Sequence, residues 1–364
     1  MFTWYGRAGI CLVYLSDVGD EDPHEPHSTF RQSRWFTRGW TLQELIAPGR
    51  SVVFLTGDWT RIGSTPELAS LLEQITTIDV AVLLSDDPAR AISQLSVARR
   101  MSWAAGRHTT RPEDRAYALM GMFDVHIPLI YGEGSERAFR RLQLEIISHT
   151  FDHSIFAWGP RAAPARLLAR APTPGRALAP PVVRLLALSP DDFCDSADIV
   201  RVAMAELTGA LGLRTVKEPH FFDTHYGIRI RLPLCPVLSH PGGRVWCAAL
   251  ACRTAASEAP GPHTAWIPPP KFIGLVLYRP RSSPVYVVVQ SVEVHEEMSP
   301  GLSRAIDLPY PLVKRRFPYF WRSEWRVETI YIWARAVGEE SELSSPSRNW
   351  YTSCNDSPLI PATF

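Results

Sequence analysis

The sequence predicts an α/β fold with parallel strands and helices, followed by a helical segment and a mostly β second domain. Three observations carry this. Two short runs, Ile10–Leu15 and Ser51–Leu55, are too apolar for a solvated strand, and the segment between them is long enough for a crossover connection. Stripes at helical spacing follow, from Leu68 through His149. After a Pro- and Ala-rich stretch, the pattern changes to short β-branched and aromatic runs separated by Pro and Gly.

In chain order, Ile10–Leu15 reads as a strand that is apolar on both faces, as in a buried parallel sheet. Asp17 to His27 is a polar loop. Arg38 to Ile46 reads as a short helix stopped by Pro48-Gly49, and Ser51–Leu55 as the second strand of the same parallel sheet. Thr65-Pro66-Glu67 opens the next helix: a hydroxyl cap, a proline at the first helical position and an acid in the first turn. Leu68, Leu71, Leu72 and Ile75 give it a core-facing stripe. Pro112-Glu113-Asp114 starts another helix. Ser135 caps a further one, with Phe139, Leu142 and Ile146 inward and Arg137, Arg140, Arg141 and Glu145 outward. The runs Gly227–Leu234, Val245–Ala251, Phe272–Tyr278, Val285–Gln290 and Val327–Trp333 are expected to build a sandwich or an open barrel. The expected boundaries are 1–110 for the α/β part and 111–159 for the helical segment. A linker at 160–184, a β-rich domain at 185–336 and a polar tail at 337–364 follow.

Composition narrows the function classes. Among 364 residues, 38 Lys and Arg balance 37 Asp and Glu, so no electrostatic footprint for nucleic acid or an anionic membrane exists. No apolar run approaches the roughly 20 residues of a membrane span. The apolar stretch Ala8–Leu15 runs into an acidic loop rather than a cleavage site, so a strand is the better reading than a signal peptide. The six cysteines are scattered without a CxxC pair, as expected of thiols in a reducing, cytoplasmic compartment.

The candidate catalytic residue is Glu44. On a helix Trp40 and Glu44 are four apart and share a face, which sets a carboxylate beside an indole at the end of a short helix near a sheet edge. The structural alternative is an ion pair from Glu44 to Arg38 or Arg34. The charges of Arg111-Pro112-Glu113-Asp114-Arg115 suit helix capping and a salt-bridge cluster better than an active site. Asp20, Asp22, His24, Glu25 and His27 match no metal-site spacing, so no metal is expected. His149 and His153, one turn apart, read as a helix-end pair. Gly132-Glu133-Gly134 lacks the lysine and length of a phosphate loop and reads as a turn.

Several blocks resemble one family. Ser33-Arg34-Trp35-Phe36-Thr37-Arg38-Gly39-Trp40-Thr41-Leu42-Gln43-Glu44-Leu45-Ile46-Ala47-Pro48 is similar to the most recognisable segment of the fungal heterokaryon-incompatibility (HET) domain. Arg111 to Tyr117, Gly121 to Val125, Leu129 to Gly134 and Ala138 to Gln143 resemble the family again. They lead into a domain of unknown function that follows HET in basidiomycete proteins. The resemblance spans residues 1–158 and resumes weakly at Leu188 to Phe193. It implies a partial, TIR-like HET domain, because Met1 falls where the family has an internal residue. It also implies a role in non-self recognition and programmed cell death, exerted through protein partners such as other HET or recognition proteins. Trp40-Thr41-Leu42-Gln43-Glu44-Leu45 looks like the Trp-Cys-x-x-Glu-Leu block of TIR domains, in which the Glu works on NAD. By that resemblance NAD is the candidate substrate, and the sequence identifies no cofactor with certainty. An inactive remnant or regulator that occupies a partner's interface is the third reading.

Overall fold

In the computed structural model, residues 1–159, 184–214, 222–225, 227–240, 243–255, 271–280, 285–295 and 325–332 are described. The 160–183 stretch of the expected linker and the 337–364 tail lie outside them. The chain divides into two compact units, Met1–Gly159 with Leu186–Arg201, and Pro160–Leu185 with Val202–Phe364.

The first unit mixes helices with a small sheet, as the α/β expectation requires. Helix α1 (Phe2–Gly6) leads to strand β1 (Cys11–Tyr14), and helix α2 (Thr29–Gln32) and a 3-10 turn (Arg34–Thr37) follow. Helix α3 (Thr41–Ile46) then returns the chain to β2 (Val52–Leu55). β1 pairs parallel to β2, with Cys11 opposite Val52 and Tyr14 opposite Leu55, so the two apolar runs do share one sheet as parallel neighbours with α3 in their connection. A third strand, β3 (Arg61–Ser64), adds antiparallel to β2 and gives the order β1-β2-β3.

The reading of β1 as apolar and buried on both faces is corrected. Val13 is buried, but Leu12 and Tyr14 on the opposite face are 57% and 43% exposed. β1 is an edge strand with one face in the core. Under the sheet, Phe30, Trp35, Phe36 and Phe54 meet edge to face, with centroids 5.3–5.7 Å apart for the pairs Phe30–Phe36, Phe30–Phe54 and Trp35–Phe54. The Ser33–Phe36 block is therefore an aromatic plug on β2.

Helix α4 (Thr65–Thr76) buries Leu68, Leu71 and Leu72 as its stripe predicts. Its cap is Ser64 rather than Thr65: the Ser64 side chain and Glu67 form a reciprocal capping box, and Thr65 is the first helical residue. Short helices α5 (Val80–Leu83), α6 (Pro88–Gln94), α7 (Val97–Ser102), α8 (Asp114–Tyr117) and α9 (Met120–Phe123) precede α10 (Ser135–His149). α10 buries Phe139, Leu142 and Ile146 as expected, although its cap is Gly134. The 186–201 segment closes this unit with a 3-10 turn (Pro190–Phe193) and a short strand, β4 (Ile199–Arg201). Within it, Ala187 donates its N–H to Oε1 of buried Gln143 at 3.0 Å and accepts from Nε2 at 2.9 Å. Asp191 accepts from Arg115 Nη2 and Gly106 N.

In the second unit all five expected runs are strands. With β5 (Phe222–Thr224) they are β6 (Gly227–His240), β7 (Gly243–Thr254), β8 (Lys271–Pro280), β9 (Val285–His295) and β10 (Arg326–Ile332). β6 pairs with both β7 and β10, and the sequence β7-β8-β9-β10 completes the circuit. The sandwich or open barrel of the sequence reading is thus replaced by a closed five-stranded ring. Closure removes the free edges that an open sheet would leave. Ile228, Ile230, Leu232 and Leu234 alternate along one side of β6 and are buried. Their cross-strand neighbours Ala248, Ile330 and Ile332 are buried with them. Helix α11 (Met204–Ala210) packs Met204 and Leu207 against Cys247, Ala249 and Ala251, so β7 is buried on both faces.

Candidate functional site

Glu44 lies on α3, where Leu42, Leu45 and Ile46 are fully buried and fix the helix. Burial, partly offset by hydrogen bonding from Tyr5 and Trp35 and by the charge of Arg38, raises its carboxyl above the ordinary range. Tyr5, raised by its own burial and then by Glu44, shares this environment. Cys11 completes it: its Sγ reaches the Glu44 carbonyl at 4.0 Å, and burial followed by the Glu44 charge raises the thiol. The cluster therefore joins α1, β1, the Arg34–Thr37 turn and α3.

Trp40 does not supply the neighbouring indole. Its Nε1 donates to Asp114 Oδ2 at 3.2 Å, and the indole that reaches Glu44 belongs to Trp35. Trp40 caps α3 with helical backbone angles, so the difference lies in its side chain, which turns to Asp114 rather than toward Glu44. Of the two arginines weighed as partners, Arg34 pairs with Asp17 at 3.6 Å, and Arg38 acts on Glu44 through its charge. Asp17 also accepts from Ser33 Oγ and Arg34 N, both at 2.9 Å, and so seats the turn that carries Trp35. Sequence reasoning missed Tyr5, Cys11 and Trp35 as neighbours of Glu44. Only Trp35 lies in the recognised block, and no periodicity connects any of the three to Glu44.

Chemically, a half-buried carboxyl with a raised affinity for its proton suits proton exchange or the stabilisation of a nearby cation. The rest of the block is fastened to the remainder of the unit. Gly39 N donates to His108 O at 2.9 Å, and a Cβ at Gly39 would meet Thr109 Cγ2 at 2.5 Å. Gln43 donates to Ala118 O from a buried position.

The Arg111–Arg115 charges form a clasp. Glu113 Oε1 accepts from Gly132 N at 2.8 Å and Gly134 N at 3.0 Å, and Arg111 stacks over Tyr131 at 4.2 Å. Tyr131 donates to Asp114 at 3.1 Å, while Glu133 pairs with Arg141 and accepts from Tyr117. Gly132-Glu133-Gly134 is thus a turn held by a carboxylate, with Gly132 and Gly134 at φ 96° and 85°. Hydrogen bonds from the backbone of Glu113 itself, Gly134 and Gly132 hold the Glu113 carboxyl below its usual range. A group depressed in this way stabilises the fold above the ordinary carboxylate range, and the contribution is lost as pH falls through the lowered value. Glu113→Gln is therefore expected to speed hydrogen exchange at Gly132 and Gly134 at pH 7 and to weaken its acid dependence. Unchanged exchange at both glycines would exclude the clasp.

His149 and His153 do not form a pair. His149 ends α10, exposed, whereas His153 is fully buried in the next 3-10 turn and is pushed by that burial down to about 4. Among the described residues no cluster of three or more His, Cys, Asp or Glu is placed to hold a metal. Glu21 instead accepts from the start of α2, and Asp22 Oδ1 accepts from His24 N. Among the described residues no helix is long and apolar enough to cross a membrane.

Residues 137–249 match the family model described as Domain of unknown function (DUF8212). Over 152 residues the chain is 47% identical to Vegetative incompatibility protein HET-E-1 of Podospora anserina. That stretch is 40% of this chain and 11% of the relative, so the chain spans a small part of the protein it matches. No solved structure matches. Together the matches show that part of this chain is similar to a fungal vegetative incompatibility protein.

Proposed function

We propose that the chain acts in fungal non-self recognition, as an interaction or effector module of vegetative incompatibility that works in the cytoplasm through protein partners. The observation that supports this best is the 47% identity over 152 residues to a vegetative incompatibility protein. Induced overexpression in a filamentous fungus tests it. Growth arrest, hyphal death or a changed outcome of fusion with an isogenic strain is expected. Normal growth and normal fusion at high protein level would contradict it.

A second reading has its own support. Glu44, with its raised carboxyl amid Tyr5, Trp35 and Arg38, is the candidate catalytic group of an NAD-cleaving hydrolase, with Trp40 as a positioning residue through Asp114. Cleavage of the nicotinamide–ribose bond leaves an oxocarbenium-like cation that a placed carboxylate stabilises.

A further inference from the structure

Strand β1 leaves one edge of its sheet open. The order β1-β2-β3 places it at the end, with β2 on one side and no described strand on the other. Leu15 N donates to Leu55 O at 2.9 Å, so Val13 and Leu15 turn their backbone groups toward β2. Strand alternation then turns the N–H and C=O of Leu12 and Tyr14 to the outer edge. Proteins blunt such an edge with a charge, a proline or a bulge, and Ile10-Cys11-Leu12-Val13-Tyr14 has none of the three.

The face beside this edge is apolar as well. Ile10, Leu12 and Tyr14 are exposed, while Val13 and Leu15 on the other side are buried. Trp59, from the turn that joins β2 to β3, stacks on Tyr14 with ring centroids 4.6 Å apart, and Tyr14 donates its hydroxyl to Gly57 O at 2.9 Å. Trp59 holds a φ of 64°, a strained backbone for a bulky residue, and its side chain is exposed all the same. Strain kept for a side chain that buries so little points to a surface that something else completes.

We propose that a second copy of this chain completes it: β1 pairs antiparallel with β1 of the other copy about a twofold axis at Leu12, and two three-stranded sheets become one. Two features favour a second copy over a foreign strand. In this register Leu12 faces Leu12 and Ile10 faces Tyr14, so each exposed apolar residue meets another on the same face, as a self-complementary interface requires. The flanks also match by charge. Antiparallel pairing carries Arg7, exposed ahead of β1, toward Asp17 and Asp20 behind β1 of the other copy. Parallel pairing would set Arg7 against Arg7 and acids against acids. The strand is short, so the dimer forms in a concentration-dependent way. This pairing stands apart from the incompatibility reading and does not rest on it.

Sedimentation of the full chain over a wide range of concentration tests the pairing. A monomer–dimer equilibrium is expected. Leu12 is exposed, so Leu12→Lys spares the core and sets two like charges on the axis. It should weaken the dimer by roughly tenfold or more. Arg7→Glu should weaken it by a few-fold at low salt. Circular dichroism identifies either variant if it fails to fold. Cross-linking supplies a second measurement, in a Cys194→Ser background that removes an exposed thiol. Leu12→Cys should form an intermolecular disulfide under mild oxidation, because hydrogen-bonded antiparallel neighbours lie about 5.5 Å apart, within disulfide reach. Trp4→Cys, equally open to solvent but on α1, should not. A monomer at every concentration would overturn the inference and leave the edge to a strand of another protein. So would a dimer that folded Leu12→Lys or Arg7→Glu leaves unchanged, or equal cross-linking at positions 12 and 4.

Discussion

Gln143→Met is expected to destabilise the first unit by about 2–6 kcal/mol. The side chain is fully buried, and its amide satisfies both the N–H and the C=O of Ala187. Methionine fills a similar volume but leaves two buried backbone groups without partners, each costing roughly 1–3 kcal/mol. The chain has two units, so a single unfolding midpoint is not a safe measure. Pulse proteolysis with fragments assigned to residues 1–159 is the suitable one. A loss below about 0.5 kcal/mol would show that water or a shifted backbone satisfies Ala187 without help.

Glu44→Gln has the largest expected effect on activity, if the chain cleaves NAD. Gln keeps the shape and removes the charge. One charge-stabilising group near a cationic transition state is worth on the order of 3 kcal/mol, a hundredfold or more in rate. Toxicity and NAD loss should then disappear together in cells while the fold remains. The stability change has a defined sign. The carboxyl is raised in the folded state, so its favourable contribution is present below the unfolded value of 4.5 and is lost as pH rises through the folded value. At pH 7 the neutral amide carries no such penalty, and the variant should be as stable as the parent or more so. Free nicotinamide released equally by both proteins would remove Glu44 from catalysis. Wild-type protein that neither kills cells nor lowers their NAD would remove the hydrolase reading for this chain and leave the interaction module standing.

The sequence made the elements legible wherever burial leaves a periodic imprint. Leu68, Leu71 and Leu72 announce α4, and the apolar runs announce β1, β2 and the five strands of the ring. β3 escaped because Arg61-Ile62-Gly63-Ser64 has one apolar residue and is ordered by pairing with β2. Ring closure escaped for a related reason: it depends on β10 finding β6, a long-range register that no local pattern encodes. The candidate site was half legible. Glu44 stands in a recognisable block, but Tyr5 and Cys11 come to it from α1 and β1. Trp40 was assigned a neighbour from helical spacing alone, but its indole is drawn to Asp114, a distant residue in sequence that spacing does not reveal.

The split of the first unit across the chain has a kinetic meaning. Leu186–Arg201 belongs with Met1–Gly159, and its ties run through Gln143, Arg115 and Ser96, whose Oγ donates to Ile199 O at 2.6 Å. During synthesis, the unit must therefore wait for about 40 further residues, roughly 2–8 s at ~5–20 residues per second. In that interval the Gln143 amide and the Ser96 hydroxyl have no Ala187 or Ile199 to meet. The nascent chain thus passes through an unfinished state whose lifetime is set by the ribosome, and slow codons after Gly159 would prolong it.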